Sequence, residues 1–281
     1  MEELEENFDP LRYWEQRLQA HPDITGVGYL GRSPKFVEYQ YRSRMYQVEL
    51  ILRYYGLSDL AGRAVLDIGS GTGIWLNFWH QHNASCVAGL DFAQPSIDRL
   101  RTQFPNDLIV QSDVSVVPLQ MPDTMRFDVI SAFDVLLHIV DPESFRRAIA
   151  NLAYHCVPGG WLIISDPILH GMGYIPTRTY AVYNKVRSVA EYRDVLAEHG
   201  FIIDSIQPAT VLLNNPLESP NRLIFMVHEA FWKTTTKLWG RSNILSHLVG
   251  PIVFKLDQLA CRLCSDGNSP GSKIIIAHKR E

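Results

Sequence analysis

Residues 65–73 read Val-Leu-Asp-Ile-Gly-Ser-Gly-Thr-Gly, an apolar run ending near an acid and followed by three glycines at alternate positions. A glycine turn between a strand and a helix start lets backbone approach a ligand closely, and the free N–H groups of the helix N-terminus face it. The spacing Gly69-x-Gly71-x-Gly73 departs from the dinucleotide fingerprint G-x-G-x-x-G, which needs a glycine or alanine where this chain has Ile74. Asp67 would also repel a pyrophosphate, and suits a ligand with a positively charged group. Asp91 closes the next apolar run, in Gly-Leu-Asp-Phe-Ala, where an acid is placed to accept hydrogen bonds from both hydroxyls of a ribose. Phe92 beside it is placed against a purine ring. After the third run, Ser112-Asp113-Val114 offers a carboxylate to an exocyclic amine. Three successive strand ends thus provide partners for an amino-acid cation, a ribose and an adenine.

Two histidines follow the fourth and fifth apolar runs. His138, in Phe-Asp-Val-Leu-Leu-His-Ile, can serve as a general base because imidazole titrates near neutral pH, or it can cap and pack beneath the site. His170, in Asp-Pro-Ile-Leu-His-Gly, is the second candidate base, with Tyr174 and Tyr180 as pocket walls on the same segment. Asp134 and Asp166 invite a metal-dependent reading, but the sequence lacks a clear carboxylate cluster, and no metal is expected.

The elements that must position these residues alternate regularly. Apolar runs at 64–68, 86–91, 107–113, 127–133 and 160–165 are rich in Val, Ile and Leu on both faces, as strands buried on two sides should be. Helical stretches at 73–82, 95–104 and 142–156 separate them, which predicts a parallel sheet covered by helices. Residues 9–55 read as helical and aromatic-rich. A helix is expected over 189–199, a strand over 201–213, helices through 221–264, and a closing strand at 272–279.

The chain has 281 residues, is 46% hydrophobic and carries a net charge of −4, which fits a globular protein with a substantial core and gives no electrostatic reason to expect nucleic acid. The acidic N-terminus lacks the pattern of a signal peptide, no stretch reaches the ~18 continuous apolar residues of a membrane span, and the four cysteines read as free thiols, so a cytoplasmic protein without an integral membrane segment is expected.

Taken together and in order, these motifs, with Val-Pro-Gly-Gly-Trp-Leu-Ile-Ile-Ser-Asp at 157–166, resemble those of class I S-adenosylmethionine-dependent methyltransferases over roughly residues 60–166. The resemblance implies an α/β, Rossmann-like sheet of seven strands whose last strand is antiparallel. It implies S-adenosylmethionine as cofactor, with Gly69, Ser70, Gly71 and Gly73 against its methionine part and Asp67 near the amino group. Asp91 would bind the ribose, Phe92 and Val114 would flank the adenine, Ser112 and Asp113 would meet its edge, and Phe133 would sit near the methionine end. In similar enzymes the N-terminal helices form a lid, from which Tyr41-Arg42 could reach the methionine carboxylate. The expected organisation is a lid at 1–58, a cofactor-binding core at 59–213 with 272–281, and a helical insertion at 214–271 that caps the pocket, forms a homodimer or, less in keeping with its sparse basic residues, rests on a membrane. The expected reaction is methylation of a small or medium organic acceptor, a natural-product-like, sugar-bearing or lipid-like intermediate, at a hydroxyl oxygen. Nitrogen, carbon or carboxyl methylation, a catalytically silent cofactor-binding scaffold and an NAD-linked oxidoreductase are the alternatives.

Overall fold

The computed structural model describes residues 8–177, 184–264 and 268–281; Tyr180 lies outside them. Seven strands form one sheet in the order β3-β2-β1-β4-β5-β8-β7, where β1 is Ala64–Ile68, β2 Cys86–Asp91, β3 Leu108–Gln111, β4 Phe127–Phe133, β5 Cys156–Leu169, β7 Phe201–Pro208 and β8 Ser272–Lys279. The two-residue β6 (Arg187–Ser188) pairs with the far end of β5. The first five strands are parallel, and β8 runs antiparallel to both β5 and β7. This is the sheet the resemblance implied. Strand order reverses between β1 and β4, so the loops leaving their carboxyl ends diverge and open a crevice there.

Each face of the sheet buries its own core. Leu66, Ile68, Ile130, Leu162 and Ile164 face α5 (Pro142–His155) and α6 (Val189–Glu198). Val65, Val129, Ile163 and Ile274 face α2 (Pro34–Tyr54), α3 (Ile74–Gln81) and α4 (Gln94–Gln103). Alternate residues of one strand thus enter opposite cores, which explains the two-sided apolar runs. Ser33 and Asp141 cap α2 and α5 through side-chain acceptors, each followed by a proline at the first helical position.

Several boundaries differ from expectation. Phe127 pairs with Cys156 and Val129 with Trp161, so residues 157–160, which contain the turn-forming Pro-Gly-Gly of 158–160, loop out of the ladder within the strand. β5 then runs on to Leu169, because Asp166 and Pro167 still pair with Lys273 and Ser272. β7 stops at Pro208, which cannot donate to a ladder. The N-terminal region comprises α1 (Pro10–Ala20), a 3-10 turn (Ile24–Gly26) and α2, and the apolar region 221–264 comprises α7 (Arg222–Leu238) and α8 (Asn243–Leu263).

Two buried carboxylates tie the insertion to the core. Glu218 accepts the backbone N–H groups of His170, Gly171 and Met172 and the ammonium of Lys273, all within 2.6–2.9 Å. Asp257 on α8 accepts those of Val211, Leu212 and Leu213 and the hydroxyl of Ser43 on α2. The inner sides of α7 and α8 close on Phe36 and Tyr39 of α2 through Trp232, Trp239 and Val253.

Candidate active site

The glycine turn demands glycine on two grounds. Gly69, Gly71 and Gly73 adopt φ of 67°, 53° and 81°. A Cβ on Gly69 would run into Val135, one on Gly71 would come 2.8 Å from Val27, and one on Gly73 would come 2.6 Å from Phe104. The turn is held by the N–H groups of Gly69 and Ser70 donating to Leu90 O (2.7 and 3.1 Å) and by Gly71 N–H donating to Asp91 Oδ2 (2.8 Å).

Gly69, Ser70 and Gly71 border a cavity of about 420 Å³ at the crevice between β1 and β4, within the usual range of roughly 300–1,000 Å³ for small-molecule sites. Asp91, Phe92, Ser112, Asp113, Val114, Phe133 and His138 border the same cavity, so four consecutive strand ends converge on it. Both oxygens of Asp91 are anchored by backbone N–H groups, Gly71 on one and Ala93 on the other (3.0 Å), and each oxygen keeps a lone pair for a ligand hydroxyl. Asp113 Oδ1 accepts Ser115 N–H and Oγ–H at 2.7 and 2.8 Å. Phe133 stacks on Trp75 with centroids 3.8 Å apart, forming an aromatic wall.

Asp67 lies beneath the turn rather than on the cavity wall. Ser131 Oγ donates to its Oδ1 at 2.6 Å and is itself fixed by Trp79 Nε1, whereas the buried Oδ2 has no protein partner. Burial pushes this carboxyl up to about 7 despite the Ser131 hydrogen bond. Gly73 also stands off the wall, packed against Leu100 of α4 and the Phe104 that follows that helix, as the N-cap of α3.

The roof is α1. Phe8, Pro10, Trp14 and Leu18 border the cavity, and the Trp14 ring meets that of His138. Arg17 pins the roof: its Nε donates to Gly26 O at 2.7 Å, another nitrogen donates to Gly28 O, and its guanidinium lies 4.8 Å from the Trp14 ring. His138 is half-buried on a 3-10 turn, Leu136–His138, just beyond β4. Arg187, stacked 3.8 Å from the Phe145 ring, holds that turn by donating to the carbonyls of Leu136 and Ile139.

Three expected site residues are corrected. Arg42 projects from the other side of α2, half-exposed, near Glu38 and over the Tyr39 and Phe254 rings. Tyr41 does border the cavity, but the neighbouring helical position is turned by about 100°. Arg44, three residues on, returns to the buried side and pairs with Asp134 at 2.6 Å. His170 is exposed and away from the cavity, because β5 carries the chain past the sheet edge before Glu218 captures residues 170–172. Tyr174 also lies off the cavity, bridged to Ser219 and packed on Phe225. Sequence reasoning missed Arg44 and Arg187. The spacing of Val37, Tyr41, Arg44 and Val48 would have revealed the first, whereas Arg187 acts across the fold and leaves no local signal.

Asp134, at the end of β4, has φ of 57°, a left-handed conformation unusual for a non-glycine residue and frequent where structure holds a functional site under strain. Its N–H donates to Ser165 O (2.7 Å) and its carboxylate takes Arg44, so both ends are fixed.

Among the described residues, the cavity wall carries the carboxylates of Asp91, Asp113, Asp134 and Asp141 and no lysine or arginine. Such a wall fits a cationic ligand and opposes a pyrophosphate. With the glycine approach and the unpartnered Asp67 oxygen, it fits a nucleoside bearing ammonium and sulfonium charges.

The methyltransferase-domain family matches residues 38–207 of this chain. Similar proteins include the ubiquinone biosynthesis O-methyltransferases of Albidiferax ferrireducens, 34% identical over 114 residues, which are 39% of this chain and 43% of that protein, and of Neisseria meningitidis serogroup C, 33% identical over 100 residues, 34% and 42%. The chain matches less than half the length of these curated relatives. A similar solved structure is a putative sarcosine dimethylglycine methyltransferase from Galdieria sulphuraria, with TM-score 0.55, 16% identity and 84% of each chain covered. Another is the magnesium protoporphyrin IX methyltransferase of Synechocystis PCC 6803 with bound S-adenosylmethionine, with TM-score 0.52, 16% identity and 97% and 98% covered. At these identities the two structures speak to the fold.

Proposed function

This chain belongs to the S-adenosylmethionine-dependent methyltransferases, and from that premise we propose that it methylates a hydroxyl oxygen of a small or medium organic acceptor, with His138 receiving the proton. The observation that carries this reading is the position of His138 on the cavity wall, under the Trp14 roof and past the end of β4. When bound, S-adenosylmethionine supplies an already activated methyl group for in-line displacement. The protein's work is then to orient two partners, exclude water and accept one proton.

In this reading Asp91 takes the ribose hydroxyls, and Ser112, Asp113 and Val114 take the adenine edge with Phe92 on its face. Gly69, Ser70 and Gly71 follow the methionine part, and Asp67 offers its unpartnered Oδ2 from beneath. Residues 10–33 act as the roof of the site. The hydroxyl preference rests on the half-buried imidazole and agrees with the partial sequence similarity to O-methyltransferases.

The test is transfer of labelled methyl from S-adenosylmethionine to a panel of phenols, catechols, aliphatic alcohols, amines and carboxylic acids. Hydroxyl products from the wild type, with kcat for His138→Ala reduced about 10²- to 10⁴-fold at retained cofactor affinity, support the reading. Methylation of amines or acids that is indifferent to His138→Ala overturns it.

A further inference from the structure

The outer sides of α7 and α8 are apolar and flanked by basic residues, and we propose that they seat the protein on the surface of an anionic phospholipid bilayer. On α8, Leu245, Leu248, Ile252, Leu256, Leu259 and Leu263 recur every three or four residues and are all exposed, Leu248 at 64%, Ile252 at 62% and Leu263 at 79%. On α7, Leu223, Val227, Phe231 and Leu238 form a second exposed row. The opposite sides are already used: Phe225, Trp232 and Thr236 on α7, and Ser246, Gly250, Val253, Asp257 and Cys261 on α8, are buried. Each helix therefore has one side docked and an apolar row facing out, where a surface helix of a monomeric domain would be polar.

Charge selects the occupant. Residues 221–263 contain Arg222, Lys233, Lys237, Arg241, Lys255 and Arg262 against only Glu229 and Asp257. Their net charge is +4 in a chain of net −4, so the remainder carries −8. Of the two acids, Asp257 is buried, and Glu229 lies 3.2 Å from Lys233. Helical spacing puts Arg222, Lys233 and Lys237 in one row beside the exposed row of α7, and Lys255 and Arg262 beside that of α8. Apolar rows edged with Lys and Arg are the make-up of helices that lie in the headgroup region of anionic membranes. A two-fold contact between copies through this face would instead set the same basic residues near each other, which is unfavourable.

The helix lies along the bilayer and does not cross it. α8 has the length and apolar composition to span, yet Gly250 is so close to Tyr39 that a Cβ would run into its ring, and Asp257 gathers three backbone N–H groups of the core. Withdrawing α8 into lipid would strand that carboxylate.

Vesicle flotation of the full chain tests this without reference to catalysis. Vesicles of phosphatidylcholine containing phosphatidylglycerol should carry the protein, vesicles of phosphatidylcholine alone should bind it at least about tenfold more weakly, and added salt should release it. Lys233→Glu with Lys237→Glu should lower affinity for the anionic vesicles by roughly fivefold or more per residue, and Leu248→Ser with Ile252→Ser by about tenfold or more. All four positions are exposed, so unchanged circular dichroism and S-adenosylmethionine affinity establish that the variants are folded; the salt dependence of the wild type serves if a variant does not fold. Absence of binding to either vesicle, equal binding to both, or a solution dimer that Ile252→Ser dissociates without any vesicle affinity would each overturn the proposal.

Discussion

The Trp14 indole and the His138 imidazole meet edge to face, with centroids 4.9 Å apart and 75° between planes. The roof helix thereby touches the histidine that the proposed reaction uses as its base. Because Arg17 clamps Trp14 against the carbonyls of Gly26 and Gly28, and Arg187 clamps the turn that bears His138, roof position and imidazole orientation depend on one another.

Trp14→Ala should therefore damage both cofactor retention and turnover. Aromatic pairs contribute about 0.5–1.5 kcal/mol beyond area burial, so we expect KM for S-adenosylmethionine to rise and kcat to fall, each by roughly two- to tenfold, while Trp14→Phe keeps most of both. Steady-state kinetics with the acceptor found in the panel measure this. Unchanged constants in Trp14→Ala would mean that the roof does not influence the site.

Asp67 should impose a pH dependence on stability. Burial raises its folded-state pKa to about 7, well above the value of about 3.9 for an unfolded aspartate. Between those values the folded state holds a proton that the unfolded state lacks, so stability is greatest at the acid end and declines as pH rises toward 7, then levels. The loss is on the order of 2–4 kcal/mol. Asp67→Asn, which keeps the shape without the charge, should flatten this part of the profile in chemical denaturation measured from pH 4 to 8. An identical slope in the variant would show that Asp67 is not the group responsible.

The parallel core was legible because its strands are buried on both faces, so their apolar runs and the acids that end them are local features. β1, β2, β4 and β8 occupy the residues their composition indicates. What sequence could not supply was contact across the fold. β5 continues through Asp166-Pro167, a dipeptide that reads as a turn, because Lys273 and Ser272 of β8 remain beside it and Tyr192 donates to Asp166 at 2.6 Å. The apolar stretch 221–264 divides at the polar tetrad Gly240-Arg241-Ser242-Asn243, where Ser242 caps α8. The cavity residues on strand ends follow from spacing, whereas those on helices need the helix phase, which turns Arg42 outward and Arg44 toward Asp134.

That phase predicts opposite behaviour for the two arginines. Arg44 is 9% exposed and paired with Asp134, whereas Arg42 is 50% exposed and shares a weak contact of 3.9 Å with Glu38. Removing one member of a buried pair typically costs about 3–5 kcal/mol, and an exposed pair contributes about 0–1. Arg44→Ala should lower the denaturation midpoint strongly and weaken cofactor binding by releasing Asp134 beside the cavity. Arg42→Ala should stay within about 0.5 kcal/mol of wild type. Comparable losses from both would contradict the assigned orientation of α2.

The Glu218–Lys273 pair should prove to be the joint between insertion and core. Both side chains are fully buried, and Lys273 Nζ donates to Glu218 Oε1 at 2.8 Å and to Ile168 O at 2.6 Å. Burial would raise the Glu218 carboxyl, but Lys273 and the N–H groups of residues 170–172 hold it below the usual range, so the pair is ionised. Lys273→Met leaves a buried carboxylate with its N–H partners but without its cation, a change worth about 3–5 kcal/mol. Glu218→Gln with Lys273→Met removes both charges and should recover part of that loss, although the amide nitrogen of Gln cannot accept all three N–H groups. A double-mutant cycle in urea should therefore give a coupling of about 1–3 kcal/mol. Hydrogen exchange should show residues 168–173 opening together with 214–219 in Lys273→Met. If the two changes were simply additive and the exchange of these segments stayed independent, the insertion would be held by Asp257 and the aromatic contacts of α7 and α8 alone.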